Sequence, residues 1–380
     1  MSIIIVDDNL TNQLIILRIL ENSGYKDLRT ASSAQELFTY LKMDTPNKQE
    51  LPVDLILLDM MMPAIDGIEA CRRIQNQPHL RDIPIVFVTA MGDSNKMAEA
   101  MDAGAIDYVM KPINKIELLA RIRSALRLKF EKNWHKERDK HIKSELELAK
   151  QVQGGVLSQP IDDLNVRIDA IYLPSFELAG DFYAWYQISE NRYGIILLDM
   201  MGHGISSSLV CMFISSVLQD TIKKITDPEQ VISELNRYMN RLYMTDKLVN
   251  YYFTAIYLVL DTAEKTIEYV NAGHPPGLVF MDDQVVLLEQ SCCAVGFFEK
   301  IDIRKGTIQY NNSIDIVLFT DGLIEFVQEE RESELESDVF TNQIRSYKDL
   351  EFADLAEKFN RGDHDVIQED DICLVRISTK

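Results

Sequence analysis

The sequence is short of basic residues and of cysteine, and each shortage excludes a class of protein. Its 380 residues contain 39 Lys and Arg against 60 Asp and Glu, a formal net charge of -21. Phosphate backbones and anionic lipid surfaces are bound through Lys and Arg, so neither nucleic acid nor a membrane is the expected partner. The five cysteines show no metal-ligand spacing, and the chain starts without a signal peptide. We therefore expect reduced thiols in a cytoplasmic protein.

Long hydrophobic runs and several catalytic motifs are also missing. The longest apolar run, around Tyr251 to Leu260, is too short to span a bilayer, and there is no internal repeat. The chain has no P-loop, no Cys-x5-Arg arrangement and no Ser-His-Asp pattern. What remains is a composition of 46% apolar and 26% charged residues, typical of a globular protein long enough for two domains.

In residues 1–123, apolar strand patterns alternate with helical ones, and each strand pattern ends in a polar residue. Such alternation predicts a parallel, doubly wound sheet of the flavodoxin type, whose ligands bind at the carboxyl ends of its strands. The four strands predicted, each with the residues that follow it, are Ile3 to Val6 with Asp7 and Asp8, Leu55 to Leu58 with Asp59, Ile83 to Val88 with Thr89, and Ala105 to Met110 with Lys111. We expect these polar residues to converge.

These residue types suit phosphoryl chemistry. Three carboxylates repel one another unless a divalent cation joins them, and oxygen ligands favour Mg²⁺. A nearby lysine and threonine can bind phosphoryl oxygens, which makes Asp59 a candidate nucleophile. A single strand-terminal Asp is more often a helix N-cap, but four suitable strand ends together favour the functional interpretation.

The first region resembles a response-regulator receiver domain in Asp7-Asp8, in Asp59 followed by Met60-Met61-Met62-Pro63, in Thr89-Ala90 and in Lys111-Pro112. The resemblance implies that Asp59 is the phosphoacceptor. It also implies that Asp8, Asp59 and the Met61 carbonyl hold Mg²⁺, that Asp7 acts through water, and that Thr89 and Lys111 contact the phosphoryl group. Tyr108 stands where the family has a switch aromatic, although a half-buried strand residue explains it equally well. The polar insertion Asp44 to Leu51 is expected to be a remote loop.

Residues 124–157 read as a helical linker. No proline occurs between Pro112 and Pro160, and apolar residues recur at helical spacing on both sides of a charged middle, Lys132 to Lys143. A passive spacer and a dimerising coiled coil both fit this pattern. Gly154-Gly155 costs roughly 1–2 kcal/mol of helix stability relative to alanine, so we expect the helix to break or hinge there.

Residues 158–380 change to short alternating strand patterns with two long helical stretches, Ser206 to Ile225 and Pro228 to Met244, which predicts antiparallel sheets with helices outside. Acidic residues again stand beside glycine at strand ends. Carboxylates at such turns can meet around two metals that activate a water for attack on phosphorus. The residues concerned are Gly180-Asp181, Asp199 with Gly202-His203-Gly204, Asp321-Gly322 and Asp370-Asp371.

This region resembles the PPM-type Ser/Thr phosphatases of the SpoIIE/RsbU-like branch, in Gly-Asp-Phe-Tyr from 180, Asp-Met-Met-Gly-His-Gly from 199, Asn-Ala-Gly-His-Pro-Pro from 271 and Thr-Asp-Gly from 320. The resemblance implies a β-sandwich flanked by helices and a site for two Mn²⁺ or Mg²⁺ ions. Asp199 would bridge the metals, with the Met200 carbonyl on one of them. Asp181, Asp321 and Asp370 would complete the ligands, with Asp371 a weaker choice than Asp370.

Further details follow from the same resemblance. Gln153 and Leu157 fit the family's Gln-x-x-x-Leu pattern before the domain, and Cys373 replaces a usual threonine. His203 or His274 could act as a general acid, although a structural hydrogen bond is the favoured interpretation of both.

Together the two resemblances imply a response regulator whose phosphorylation at Asp59 controls a phosphoserine/phosphothreonine phosphatase. They imply a sensor histidine kinase as one partner and a phosphorylated STAS-type anti-sigma-factor antagonist as the substrate. A homodimer formed through the linker or the receiver is expected. The alternative is a non-catalytic adaptor that binds a sigma or anti-sigma factor under receiver control.

Overall fold

The structure is a computed structural model of the chain. It describes residues 1–43, 53–90, 94–202, 204–242, 251–282, 284–329, 341, 343–345, 352–360, 368 and 370–380. The insertion predicted as a loop at Asp44 to Leu51 lies outside these residues, and so does His203. The chain divides into two compact units, Met1–Ile142 and Lys143–Lys380, each described here by itself.

The first unit is built on a five-stranded parallel sheet in the order β2-β1-β3-β4-β5. The strands are β1 (Ser2–Val6), β2 (Asp27–Ala31), β3 (Leu55–Asp59), β4 (Ile85–Thr89) and β5 (Asp107–Met110). This confirms the doubly wound sheet. The prediction omitted β2, an edge strand in which exposed and half-buried positions alternate before the buried Ala31, so it carries no continuous apolar run.

Four helices cover the two faces of this sheet: α1 (Leu10–Glu21), α2 (Ala34–Tyr40), α3 (Gly67–Gln75) and α4 (Ser94–Asp102). The first three begin at side-chain caps, because Asn9, Ser33 and Asp66 each accept a hydrogen bond from a backbone N–H in the first turn. Separate hydrophobic cores fill the two faces. One of them includes Leu118 and Ile122 from the next helix, which ties that helix to the sheet.

The next helix, α5 (Lys115–Val156), is continuous over 42 residues. The expected break at Gly154-Gly155 was therefore wrong. Buried anchors explain why the last turn persists: Gln153 is 4% exposed and hydrogen-bonded, and Leu157 is 9% exposed. In the charged middle, Lys132 and Lys136 are exposed, and both pair with Asp82.

The second unit contains two antiparallel sheets, in the orders β14-β11-β10-β9-β8 and β13-β12-β15-β16-β7-β6. Residues of both sheets share one large hydrophobic core, which confirms the predicted sandwich. Its strands are β6 (Ile161–Asp162), β7 (Val166–Leu173), β8 (Phe182–Ser189), β9 (Arg192–Met200), β10 (Phe253–Asp261), β11 (Thr266–Ala272), β12 (Gly277–Met281), β13 (Gln284–Leu288), β14 (Gly306–Gln309), β15 (Ile314–Phe319) and β16 (Ile372–Thr379).

Helices flank the sandwich: α6 (Ile205–Ile222), α7 (Pro228–Leu242), α8 (Asp321–Glu329) and α9 (Phe352–Asn360). Among the helices in the described ranges, α6 alone has the length and apolar composition of a membrane span. Eight of its residues are nevertheless buried, among them Cys211, Ile214 and Leu218, and it packs on β8 and β9. This environment is that of a core helix.

Candidate active sites

The first site lies where β1 and β3 end side by side. These parallel strands pair Val6 with Leu58, so the residues that follow them become neighbours. Carboxylate oxygens of Asp7, Asp8 and Asp59 lie within 4.8 Å of one another, with Asp7 and Asp59 buried and Asp8 exposed. Three oxygen donors of this kind fit a hard divalent cation with one side open to solvent.

Lys111 supplies the positive charge of this site. Its Nζ lies 2.9 Å from Asp7 Oδ2 and 3.0 Å from Asp59 Oδ2. Burial raises the pKa of Asp59, and the hydrogen bond from Lys111 offsets part of that rise. Burial lowers the pKa of Lys111, but its hydrogen bonds to Asp7 and Asp59 more than compensate, so the net shift is upward. The contact with Lys111 thus offsets part of the cost of burying the Asp59 carboxylate.

Thr89 ends β4 beside Asp59, because Asp59 pairs with Val88. The Thr89 side chain is buried, and its hydroxyl lies 3.9 Å from Met60 Sδ. A backbone hydrogen bond from Met61 to Asp59 lowers the pKa of that carboxyl. Tyr108 is half-buried in β5 and packs on the core, as its simpler interpretation predicted, so its switch role stays a prediction.

Gly67, the first residue of α3, lies against the backbone of Asp59. A Cβ at this position would meet the Asp59 carbonyl oxygen at 2.2 Å. The start of α3 thus packs directly against the backbone of the phosphoacceptor candidate. Only glycine permits that approach.

The second site begins at the paired ends of β8 and β9. Their antiparallel register places Phe182 opposite Leu198, so Asp181 and Asp199 are adjacent. The two side chains hydrogen-bond to each other. Asp181 is 2% exposed, and its Oδ2 atom is buried with no hydrogen-bond partner. A buried carboxylate oxygen without a donor is costly unless a cation binds it.

The other sheet brings Asp321 and Asp370 to the same place. Phe319 pairs with Leu374 across β15 and β16, and the Thr320 amide donates to the Cys373 carbonyl at 3.0 Å. Gly322 packs on this turn, since a Cβ there would meet the Asp371 carbonyl oxygen at 2.1 Å. The negative charges of Asp321 and Asp370 both act on Asp199. Carboxylates from both sheets therefore converge.

The electrostatics of this cluster call for positive charge. Burial raises the pKa of Asp199 to about 8, and the nearby Asp321, Asp370 and Asp371 carboxylates contribute to the rise. Burial, followed by the charge of Asp199, raises the pKa of Asp181 well above its ordinary value. Within the described part of the chain, no lysine or arginine forms an ion pair with Asp181 or Asp199. The donor set thus fits divalent cations, which would let these carboxylates ionise at neutral pH.

Asp370 and Asp371 have different surroundings. Asp371 is 3% exposed and accepts three hydrogen bonds, from Ser175 N at 2.7 Å, Ser175 Oγ at 3.0 Å and Gly180 N at 2.7 Å. Its two oxygens therefore hold the loop that carries Asp181. Asp370 is more exposed, and the preference for Asp370 as a ligand stays a prediction. The hydrogen bonds of Asp371 to Ser175 and Gly180 were not predicted. The sequence of two adjacent acids does not show which side chain is directed into the protein interior.

The remaining predicted residues are Met200 and His274. A Cβ on Gly180 would lie 3.2 Å from the Met200 carbonyl oxygen, so that carbonyl lies beside the Asp181 loop. His274 is 3% exposed, its Nδ1 lies 2.8 Å from Thr254 Oγ1, and its amide donates to Asn271 Oδ1 at 2.8 Å. Burial lowers the pKa of His274 to about 3, which keeps the ring neutral. A structural role fits these contacts, and a general acid does not.

Gln153 links the end of α5 to the second site. Its amide group donates to the Ala179 carbonyl at 2.8 Å and accepts from the Ala179 amide at 3.1 Å. Ser208 on α6 donates to the same carbonyl at 2.9 Å. Asp181 follows Ala179 by two residues. From the sequence, Gln153 was noted only as part of the Gln-x-x-x-Leu pattern. Its hydrogen bonds to Ala179 were not predicted, because the contact of a single side chain with a distant residue produces no periodic pattern in the sequence.

Comparison with known families agrees with this architecture. The family model for Stage II sporulation protein E (SpoIIE) matches residues 189–380, and that for the response regulator receiver domain matches residues 3–123. The chain belongs to the SpoIIE family. Its first unit is a receiver domain, and its second carries the SpoIIE-type, PP2C-like fold.

Curated relatives match only part of this SpoIIE-family chain. Phosphoserine phosphatase RsbP of Bacillus subtilis (strain 168) is 37% identical over 249 residues, which are 63% of this chain and 59% of RsbP. Transcriptional regulatory protein YvrH of the same organism is 41% identical over 126 residues, which are 33% of this chain and 49% of YvrH. The chain therefore spans less than two thirds of either relative.

A solved structure agrees with the fold of the second unit. The SiaA-PP2C domain of Pseudomonas aeruginosa aligns with a TM-score of 0.52 at 20% identity, covering 63% of this chain and 97% of that domain.

Proposed function

We propose that this chain is a metal-dependent protein phosphoserine/phosphothreonine phosphatase under the control of its receiver domain. The observation that carries the proposal is the adjacent pair of Asp181, which is buried, and Asp199, which is half-buried, with Asp321 and Asp370 of the other sheet acting on Asp199. Such a set favours the binding of cations, because a cation offsets the repulsion between neighbouring carboxylates. It belongs to a SpoIIE-type domain, and the relative RsbP is named a phosphoserine phosphatase.

In this proposal Asp181, Asp199, Asp321, Asp370 and the Met200 carbonyl hold two Mn²⁺ or Mg²⁺ ions. When bound, such ions supply a hydroxide at neutral pH and stabilise negative charge on phosphoryl oxygens. Asp199 lies centrally, because its carboxylate senses Asp181 from one sheet and Asp321 and Asp370 from the other. Asp371 positions the Asp181 loop through Gly180 and takes no part in the chemistry.

The receiver site is proposed to accept a phosphoryl group on Asp59 from a sensor histidine kinase. Asp7, Asp8, Asp59 and the Met61 carbonyl would bind Mg²⁺, which when bound neutralises charge on the incoming phosphoryl group. Lys111 holds Asp59 ionised and oriented, and it can bind a phosphoryl oxygen once transfer has occurred. Thr89, at the neighbouring strand end, would hydrogen-bond another oxygen.

The finer assignments extend this proposal. The substrate is a phosphorylated anti-sigma-factor antagonist of the STAS type, and the protein acts in the cytoplasm without nucleic acid or membrane as a partner. The organisation is a receiver at 1–123, a helical linker at 124–157 and a phosphatase at 158–380. A homodimer through the linker is supported by exposed apolar side chains on α5, with Phe130 and Trp134 69% and 53% exposed, and Leu148 and Val152 55% and 62%.

The rival function is a non-catalytic adaptor that binds a sigma or anti-sigma factor. Hydrolysis of p-nitrophenyl phosphate with and without Mn²⁺ separates the two functions. The wild type and Asp302→Asn, which alters a side chain that is 83% exposed, should show equal metal-dependent rates. Asp199→Asn should show none. A wild-type rate no higher than that of Asp199→Asn would favour the adaptor.

Regulation is proposed to act through α5, which begins after the receiver's last strand and ends with Gln153 bonded to the Asp181 loop. Comparison of activity and oligomeric size with and without beryllofluoride, a phosphoryl mimic, tests this proposal. Asp59→Asn is the matched control that cannot respond. If the mimic changes neither quantity in the wild type, coupling through this helix is rejected.

A further inference from the structure

An exposed aromatic cluster stands on the second unit. Phe297 and Phe298 are 55% and 54% exposed, and their ring centroids are 4.8 Å apart in an edge-to-face arrangement. Tyr252 packs edge-to-face on Phe297 at 5.2 Å. We call these three residues the aromatic rim. Aromatic side chains have a large apolar surface, and leaving it in contact with water is unfavourable in free energy. A group of packed aromatic side chains in solvent therefore needs an explanation.

The aromatic rim borders the strand end that carries Asp199. Across β9 and β10, Asp199 pairs with Thr254 and Met200 pairs with Phe253. The amide of Met201 donates to the Tyr252 carbonyl at 2.9 Å. Phe253 and Val295 exchange two backbone hydrogen bonds, at 3.0 and 2.9 Å, which places Phe297 just beyond the same edge. A molecule seated over Asp199 would therefore meet the aromatic rim on one side.

The loop that presents the aromatic rim is held by a buried side chain. Asn236 on α7 is 4% exposed, and its amide donates to the carbonyls of Phe298 and Glu299, both at 3.1 Å. Its Oδ1 accepts from the Gly296 amide at 2.8 Å. Gly296 has φ 87°, and a Cβ there would lie 3.1 Å from Met239 Cβ. The side-chain amide of Asn236 thus fixes the backbone on both sides of the two phenylalanines, whose rings remain exposed. Fixing apolar rings in solvent costs free energy, so we expect their exposure to serve a function.

We infer that the aromatic rim is the docking surface for the folded protein that carries the phosphoserine. This inference rests on the proposed function. The aromatic rim borders the strand end that carries Asp199, so a folded protein that brings its phosphoserine to Asp199 presents its surrounding surface to the rim. Preorganised aromatic side chains are the groups that most often dominate such contacts. The partner surface is therefore apolar and lies beside the phosphoserine, and a small phosphomonoester does not use the rim.

The test pairs a large substrate with a small one. The full-length Phe297→Ser/Phe298→Ser variant is compared with the wild type on a serine-phosphorylated STAS-domain protein and on p-nitrophenyl phosphate, with Mn²⁺. The control is Leu164→Ser, a residue 92% exposed that precedes β7 at the end away from Asp371. We expect KM for the phosphoprotein to rise by at least about ten-fold in the double variant, the scale of losing an aromatic hot spot. The rate on p-nitrophenyl phosphate should stay at the wild-type value, and the control should match the wild type on both.

Two results overturn the inference: equal KM values for the phosphoprotein in both proteins, or an equal loss on both substrates. If the wild type hydrolyses neither substrate, the proposed activity fails, and docking is then judged by binding alone. In that case titration of the same phosphorylated STAS-domain protein measures affinity for the wild type and the double variant. Absent binding, or equal affinities, overturns docking, and weaker binding by the variant supports it. Phe297→Leu/Phe298→Leu, which keeps apolar area, should recover part of the affinity.

Discussion

The two acidic clusters of this chain look alike in sequence and differ in charge balance. In the receiver, one lysine bridges Asp7 and Asp59 at 2.9 and 3.0 Å, and two of the three acids are buried. In the SpoIIE-type unit, Asp181 and Asp199 share a hydrogen bond, and burial raises the pKa of Asp199 to about 8. The receiver cluster carries its own counter-charge, whereas the second cluster needs cations from solution. This difference suits one site to a reversible covalent phosphoryl group and the other to a permanent metal centre.

The largest effect is expected from removing one acid of the second cluster. Asp181→Asn takes away a ligand and a source of repulsion together. Metal-dependent hydrolysis of p-nitrophenyl phosphate should fall on the order of 100-fold, the scale of losing one direct electrostatic contact. Without metal, however, the variant should unfold at a higher temperature than the wild type, because Asp181 and Asp199 no longer raise the cost of ionising each other. Hydrolysis assays with Mn²⁺ measure the first effect. Thermal unfolding with EDTA or with Mn²⁺ measures the second. A variant that is stabilised by Mn²⁺ as strongly as the wild type would contradict the assignment.

Removing the lysine should make the receiver cluster behave like the second one. Lys111→Met leaves Asp7 and Asp59, which are 1% and 5% exposed, without their cation. We expect a loss of roughly 2 kcal/mol in the free energy of unfolding, the scale of a hydrogen bond between charged groups. Mg²⁺ should restore part of it, and Mg²⁺ should stabilise this variant more than the wild type. Urea unfolding with and without Mg²⁺ tests the point, and an equal response of both proteins would count against it.

His274 predicts a pH dependence confined to the second unit. Its pKa is about 3 in the folded chain against 6.5 as the ordinary value, so the unfolded chain binds the proton more readily. The stability due to the neutral ring is complete above pH 6.5 and is lost as the pH falls toward 3. The slope is about 1.4 kcal/mol per pH unit for one proton. His274→Gln should flatten the dependence measured by urea unfolding. Parallel curves for wild type and variant would show that His274 is not the titrating group.

The smallest effect concerns Gly154 and Gly155, near the end of α5. A Cβ at either position meets nothing within 4 Å. Alanine at each should stabilise the helix by roughly 0.5–1 kcal/mol. Gly322→Ala is the matched contrast, because its Cβ would meet a carbonyl oxygen at 2.1 Å. Thermal unfolding of the three variants should give two small increases and one clear decrease. A decrease for Gly155→Ala would mean that the helix needs its glycines.

The sequence predicted the sheets well because their signals are periodic. Buried strands such as β3 and β4 are continuous apolar runs, and so are β9 and β10 of the second unit, whereas β7 alternates in part. The edge strand β2 lacks such a signal and was missed. Helix α8 was missed because its first residues belong to the Thr320-Asp321-Gly322 motif, which reads as a turn.

For the two sites, the sequence predicted which residues meet but not how they are held. Strand-end acids converge because strands pair, and the pairing follows from topology. The hydrogen bonds that fix Asp371 to Gly180, or Gln153 to Ala179, join positions 191 and 26 residues apart. Such contacts depend on the orientation of single side chains. Local propensity carries no information about them, and so the roles of Asp371 and Ser175 appeared only in the structure.

The position of β16 has a consequence for biosynthesis. This strand, Ile372–Thr379, lies between β15 and β7 in its sheet, and it pairs Ile372 with Leu173 and Thr379 with Val166. During translation, β7 therefore emerges about 200 residues before the strand that must lie beside it, and such distant pairing is slow. Until then both neighbouring edges lack their partner and are exposed to aggregation. Asp370 lies directly before β16. The last acid of the candidate metal site and the strand that completes the sheet are therefore synthesised at nearly the same time.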